Sequence, residues 1–291
     1  MKIAYLILCH KNEQQVNMLL NELLKDDSDC YVHIDKKSSL QNIIKSHRIN
    51  LLPDNKRVDI KWASNTMIRA TLNLIEAVIN SNKCYDYVCL LSGQDFTIKT
   101  STERIRFFKQ DIGCNYIEVL DHKSSMYARY SKRNNLKYPL WMFNLNKTTR
   151  ILRKLYILFT GGHYYTFPFM KRKNNSGLNF EYGSQWWCLH FECIMWMYNY
   201  IKKEVNVDFF DNSLTPDECF FQSVFMMSPF KNNRKDKLMF LEWSENKNNP
   251  RLLLNKDYEM LQRDKKHLFA RKFDITIDEN IFNRLIEYCK L

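Results

Sequence analysis

Along the first 120 positions, short continuous apolar runs alternate with stretches whose apolar residues recur at helical spacing. Residues 2–9 read as a buried strand, and Val16, Leu19, Leu20, Leu23 and Leu24 mark the helix after it. Residues 30–34 form a second strand ending at Asp35, 40–49 a helix, and 58–62 a short third strand. A strong helix follows over 66–79, then a strand over 85–91, a helix over 101–109 and a strand over 116–120. Regular strand–helix alternation predicts an α/β fold, a mainly parallel central sheet flanked by helices. Further on, 185–189 and 238–243 read as strands, and 191–200, 257–262 and 277–289 as helical. Thr215-Pro216-Asp217-Glu218 opens another helix, with Thr215 as N-cap, Pro216 in the first turn and two acids at the positive end of the dipole.

Ligands of such sheets bind beyond the carboxyl ends of the strands. Polar residues gather there: His10, Asp35, Trp62 with Ser64, and Gln94 with Asp95. No GxGxxG, P-loop, HExxH, zinc-ligand spacing or GxSxG elbow is present. Asp27-Ser28-Asp29 has DxD spacing but precedes a strand, and reads as a turn. Asp95 alone is poor equipment for a divalent ion.

Composition narrows the picture. The chain of 291 residues, 45% hydrophobic with 6 Gly and 6 Pro, reads as one globular domain without a linker. Its first 120 residues are expected to bind a nucleotide, and residues 121–291 to bind acceptor and carry catalysis. The apolar N-terminal run is too short for a signal segment, and no stretch reaches the ~18 apolar residues of a membrane span. Nine Cys without a CxxC pair suit a reducing compartment. A cytoplasmic protein is expected. The net charge of +12 is local: residues 122–180 hold twelve Lys/Arg and no Asp or Glu.

Several blocks together resemble the core-2/I-branching β-1,6-N-acetylglucosaminyltransferase family, which also includes protein xylosyltransferases. They are Tyr31-Val32-His33-Ile34-Asp35-Lys36-Lys37-Ser38, Trp62 with the helix over 67–74, and Leu91-Ser92-Gly93-Gln94-Asp95-Phe96-Thr97-Ile98-Lys99-Thr100. Gly183-Ser184-Gln185-Trp186, Thr215-Pro216-Asp217-Glu218 and Leu268-Phe269-Ala270-Arg271-Lys272-Phe273-Asp274 complete the series, in the family's order. The resemblance implies a GT-A-like nucleotide-sugar transferase fold and an inverting transfer from a UDP-sugar to a glycan hydroxyl. GlcNAc is the favoured sugar, with xylose or another as alternatives.

By the same resemblance, Glu218 is the catalytic base. One carboxylate taking the acceptor proton is what an inverting displacement needs; the bland alternative is that Asp217 and Glu218 only charge a helix end. The family needs no metal cofactor. Here Arg271 and Lys272, with Arg251 as a helper, would neutralise the leaving diphosphate in its place; the alternative is a solvated basic turn. Asp35 would contact the uridine, Trp62 would lie beside the nucleotide, and Ser184 would line the donor site. Glu118, Arg129 and Trp243 would bind acceptor, with a core role as the alternative for Trp243. The chain lacks the membrane anchor and disulfides of the animal members. A bacterial member in surface polysaccharide synthesis is therefore expected.

The basic segment interleaves Trp141-Met142-Phe143, Ile151-Leu152 and Leu155-Tyr156-Ile157-Leu158-Phe159 with Arg150, Arg153 and Lys154. Such a surface suits either peripheral contact with the inner face of an anionic membrane and a lipid-linked acceptor, or a solvated face over a buried helix. Two rival classes are a basic nucleic-acid-binding protein and a non-catalytic sugar-binding relative. The confinement of charge to one segment, with no nucleic-acid-binding motif, argues against the first. Retention of Pro216-Asp217-Glu218 with Arg271-Lys272 argues against the second.

Overall fold

The structure is a computed structural model describing residues 1–131, 133, 136–143, 146–159, 171–243 and 250–290. Its centre is a seven-stranded sheet in the order β3-β2-β1-β4-β7-β6-β8. These strands are β1 (Ile3–Cys9), β2 (Ser28–Ile34), β3 (Ile49–Leu51), β4 (Tyr87–Ser92), β6 (Asn115–Ile117), β7 (Trp187–His190) and β8 (Arg234–Lys235). Pairing is parallel from β3 through β4 and between β6 and β8. It is antiparallel on both sides of β7. The expected α/β, mainly parallel architecture is therefore present, with residues from both halves of the chain in one sheet.

Strands β1, β2 and β4 are buried along their whole length, which explains their unbroken apolar runs. Helices α2 (Thr66–Asn80) and α6 (Phe191–Glu204) pack on one another and on these strands. Helix α1 (Glu13–Leu23) packs against β2. Helix α3 (Ser101–Gln110) begins with a capping box between Thr100 and Glu103.

A second sheet of three short strands, β5 (Asp95–Thr97), β10 (Phe269–Arg271) and β9 (Met239–Leu241), stands beyond the end of β4. Its register sets Arg271 opposite Asp95 and Leu241. Helices α4 (Ser125–Tyr130), α5 (Lys147–Phe159), α7 (Phe220–Met227), α8 (Tyr258–Arg263) and α9 (Asn280–Tyr288) complete the fold. A small satellite core of Leu136, Tyr138 and Phe143, with Trp141 and Leu214 against it, lies apart from the main one.

Several expectations are corrected. Residues 40–49 are not helical, because side chains of α1 take over their backbone groups. Glu13 accepts from the backbone N–H of Gln41 and Asn42, and Asn17 from that of Ile44. Residues 58–62 form no strand: Val58 N–H donates to His33 Nε2 at 2.9 Å, and Ile60 N–H to Asp35 Oδ1 at 3.4 Å. The third parallel strand is β3 instead, so Trp62 and Ser64 follow a loop. Ser28 and Asp29 lie within β2, with Asp29 bonded to Lys83 and Tyr85. Thr215 is no N-cap; it adopts the left-handed conformation at φ 47° ahead of a 3-10 turn, Pro216–Glu218. Of the basic segment, residues 160–170 and Lys132, Asn134, Asn135, Asn144 and Leu145 lie outside the described residues.

Candidate active site

The 3-10 turn Pro216–Glu218 presents Glu218 at the edge of the sheet. Its carboxylate accepts from Arg133 Nη1 at 2.6 Å, and the same guanidinium bonds the Thr215 hydroxyl and stacks 3.7 Å over the Tyr130 ring. The Glu218 side chain keeps 30% exposure, against 8% for Arg133. One carboxylate oxygen is thus fixed, while the group stays open to an incoming proton. Asp217, beside it, is the contrasting acid: its Oδ1 is buried without a hydrogen-bond partner. Burial, followed by the charge of Glu218, pushes Asp217 up to about 7 against the pull of Arg133.

Gly183 and Ser184 connect this turn to Glu118. Gly183 N–H donates to the Glu218 carbonyl at 3.0 Å, and Ser184 N–H to Glu118 Oε2 at 2.8 Å. The other Glu118 oxygen accepts from Lys237, and Gln222 donates to the Ser184 carbonyl at 2.6 Å. A Cβ at Gly183 would overlap the Glu118 carbonyl, so this approach requires glycine.

Two residues beyond Ser184, the Trp186 ring lies 4.0 Å beneath the Arg271 guanidinium. Arg271 also pairs with Asp95 at 3.2 Å. Asp95 is fully buried and accepts from Ser92 N–H and Oγ at 2.7 and 2.9 Å; burial pushes its carboxyl up against the pull of Arg271. Lys272 is half-buried and makes no ion pair among the described residues. Burial, then the charges of Arg271 and Lys11, hold its ammonium below the ordinary lysine range. Burial and the Lys11 charge likewise lower His10, with Asp35 opposing and Lys272 adding to the effect, so the ends of β1 and β2 face this cation.

The remaining candidates differ in how closely they join this group. Asp35 is buried at the end of β2, accepting from Lys37 N–H at 3.2 Å and Ile60 N–H at 3.4 Å. Trp62 is 44% exposed with Arg153 5.0 Å over its ring, and its neighbour Ala63 accepts the Thr215 N–H at 2.8 Å. Arg251 is held by two bonds to Asp257 at 2.7 and 2.9 Å, which leaves its charge largely spent. Arg129 is exposed on α4, next to the Tyr130 that stacks on Arg133. Trp243 is 51% exposed, which rules out the core role. Among the described residues no three His, Cys, Asp or Glu side chains gather as a metal site requires.

Sequence reasoning missed Arg133, Lys237 and Trp186, and did not pair Asp95 with Arg271. Arg133 is one of twelve basic residues in its segment and has no motif of its own. The Asp95 pairing depends on the register of three-residue strands, which no periodicity reveals.

The family profile described as Branch, Core-2/I-Branching enzyme, matches residues 3–262. The chain belongs to the core-2/I-branching enzyme family. Beta-1,3-galactosyl-O-glycosyl-glycoprotein beta-1,6-N-acetylglucosaminyltransferase 4 of Danio rerio is 26% identical over 140 residues, 46% of this chain and 33% of that protein. The type 3 enzyme of Rattus norvegicus is 31% identical over 121 residues, 40% of this chain and 28% of that protein. The matched stretch thus spans about a third or less of these relatives' length. The crystal structure of mouse xyloside xylosyltransferase 1 in apo form aligns with 93% of this chain and 97% of its own, at 11% identity and a TM-score of 0.39.

Proposed function

We propose that the protein is an inverting glycosyltransferase that moves a sugar from a UDP-sugar to a glycan hydroxyl, with fixed cations in place of a metal ion. The observation that carries this reading is Glu218, a half-open carboxylate held by Arg133 and tied through Gly183-Ser184 to a second carboxylate, Glu118. A carboxylate fixed on one oxygen can take the acceptor proton while the hydroxyl attacks the anomeric carbon and the nucleoside diphosphate departs. Glu118 is suited to orient acceptor hydroxyls, and the exposed ring of Trp243 to pack on a sugar face. Lys272 is the cation best placed by charge to meet the leaving diphosphate, since Arg271 already compensates Asp95 and Arg251 compensates Asp257. Ser184, Asp35 and Trp62 complete the donor side. GlcNAc is favoured because the curated relatives are named N-acetylglucosaminyltransferases.

The test is thermal stabilisation by UDP, against CMP and GDP, first in EDTA and then with Mn²⁺. Ligand at 100 times its Kd adds about 2.7 kcal/mol, worth roughly 5–10 °C in Tm for a chain this size. A UDP-selective shift in EDTA, lost in Lys272→Ala and kept in Glu218→Gln, is expected. Glu218→Gln should meanwhile lower transfer by about 10²–10⁴-fold. A shift that requires Mn²⁺ would overturn the metal-free reading and return attention to Asp95. No shift with any nucleotide would remove the donor site altogether.

A further inference from the structure

Helix α5 carries an apolar surface with nothing over it in the described structure. Ile151, Leu152, Leu155, Leu158 and Phe159 are 60, 47, 45, 75 and 79% exposed. At 100° per residue these five fall in one sector about 120° wide. Exposed Lys154 lies beside that sector, and Arg153 turns away from it to sit over Trp62. Single exposed leucines are ordinary, but a continuous stripe of five large apolar side chains marks an interaction surface. Helix α5 contacts the 3-10 turn Leu140–Phe143, which contributes Phe143 to the satellite core, so it stands outside the main core.

The occupant is indicated by charge. The stripe sits in a segment, residues 122–180, with twelve Lys/Arg and no acid. A second copy of this chain would bring the same positive field against itself. An anionic bilayer offers acyl chains for the stripe and phosphates for the cations that flank it. Among the described residues no helix is long and apolar enough to cross a membrane, so contact through α5 is peripheral.

We propose that α5 is a membrane-docking helix that lies in the interface of an anionic lipid bilayer, stripe inward. Arg153 over Trp62, with Ala63 bonded to Thr215, places the docked helix beside the turn that carries Glu218. The inference does not depend on the transfer reaction, and its test uses no sugar nucleotide.

The experiment is sedimentation of the full chain with vesicles of phosphatidylglycerol and phosphatidylcholine, against phosphatidylcholine alone, at low and physiological salt. Binding at least about tenfold tighter to the anionic vesicles is expected, weakened but not abolished by salt. Leu158→Asp/Phe159→Asp changes only exposed positions, so Tm should hold while binding falls at least about 30-fold. Lys154→Glu should weaken it about fivefold or more. Hydrogen exchange on the native chain gives a second readout that needs no variant: vesicles should protect residues 147–159. Absence of binding at low salt, unchanged binding by the double variant, or no protection of 147–159 would each overturn the proposal. So would a concentration-dependent dimer that the double variant dissolves, because a second copy would then cover the stripe.

Discussion

Asp217 and Glu218 are adjacent acids in opposite circumstances, and the difference makes a pH signature. Glu218 has a cation 2.6 Å away, whereas Asp217 buries an oxygen with no partner and titrates at about 7. Unfolded, an aspartate titrates near its ordinary 3.8. Between these two values the native chain keeps a proton that the unfolded chain has released, so stability must fall as pH rises from about 4 to about 7. Above that window the cost is constant. Asp217→Asn removes it, and the variant should exceed the native chain in stability at pH 8 by about 1–3 kcal/mol, after discounting for the residue's partial exposure. At pH 4 the two should be alike, and denaturant titrations at both values read the difference. An equal gap at both pH values would show Asp217 ionised throughout. Glu218 itself was legible in the sequence because Thr215-Pro216-Asp217-Glu218 is a contiguous motif. Its partner Arg133 was not, since it reaches the site across 85 positions from a segment where every third or fourth residue is basic.

At the scale of elements, legibility followed length and locality. The fully buried β1, β2 and β4 and the amphipathic α2 appear near their expected bounds because their patterns are long. The failures are short or depend on a neighbour. Residues 40–49 have helical spacing at Leu40, Ile43 and Ile44, yet Glu13 and Asn17 offer their backbone better-placed acceptors. Strands β5 and β10 are three residues each and exist through each other. Gly183 belongs to this class, reading as a loop glycine in sequence while holding Glu118 and Glu218 to one another in space. Gly183→Ala would drive a Cβ into the Glu118 carbonyl, backbone against backbone, and the two segments must part. The expected cost is about 1–3 kcal/mol in stability, in the range of overpacking. Transfer should fall further than Tm suggests, because a 1 Å displacement of reacting groups costs about 10²-fold. A variant with native turnover would show that the Glu118–Glu218 spacing is not critical.

At the scale of the whole molecule, the two sheets must hold a fixed relation for Lys272 and Glu218 to serve one substrate, and a buried ion pair sits where they meet. Arg104 and Asp26 have fully buried side chains, joined by bonds of 2.7 and 3.0 Å. Asp26 also accepts from Tyr5 on β1 at 2.6 Å, while Arg104 donates to Thr97 Oγ1 on β5 and the Lys99 carbonyl at 2.7 and 2.6 Å. The pair therefore ties the large sheet to the small one through charge-assisted bonds. Removing one partner leaves a charge buried without its mate, at a cost of about 3–5 kcal/mol. Removing both with apolar replacements of similar size spares that penalty. Asp26→Leu and Arg104→Met should each lower Tm by roughly 10 °C in a chain this size. Arg104→Met should cost more, because Thr97 and Lys99 lose their donor as well. The double variant should fall short of the sum of the singles by about 1–3 kcal/mol, the mark of direct coupling. UDP stabilisation measured on the same set separates rigidity from registry. If the double variant recovers Tm but not the UDP shift, the pair is what sets β5, and with it Asp95 and Arg271, in place. If it recovers both, apolar packing alone suffices to fix the two sheets.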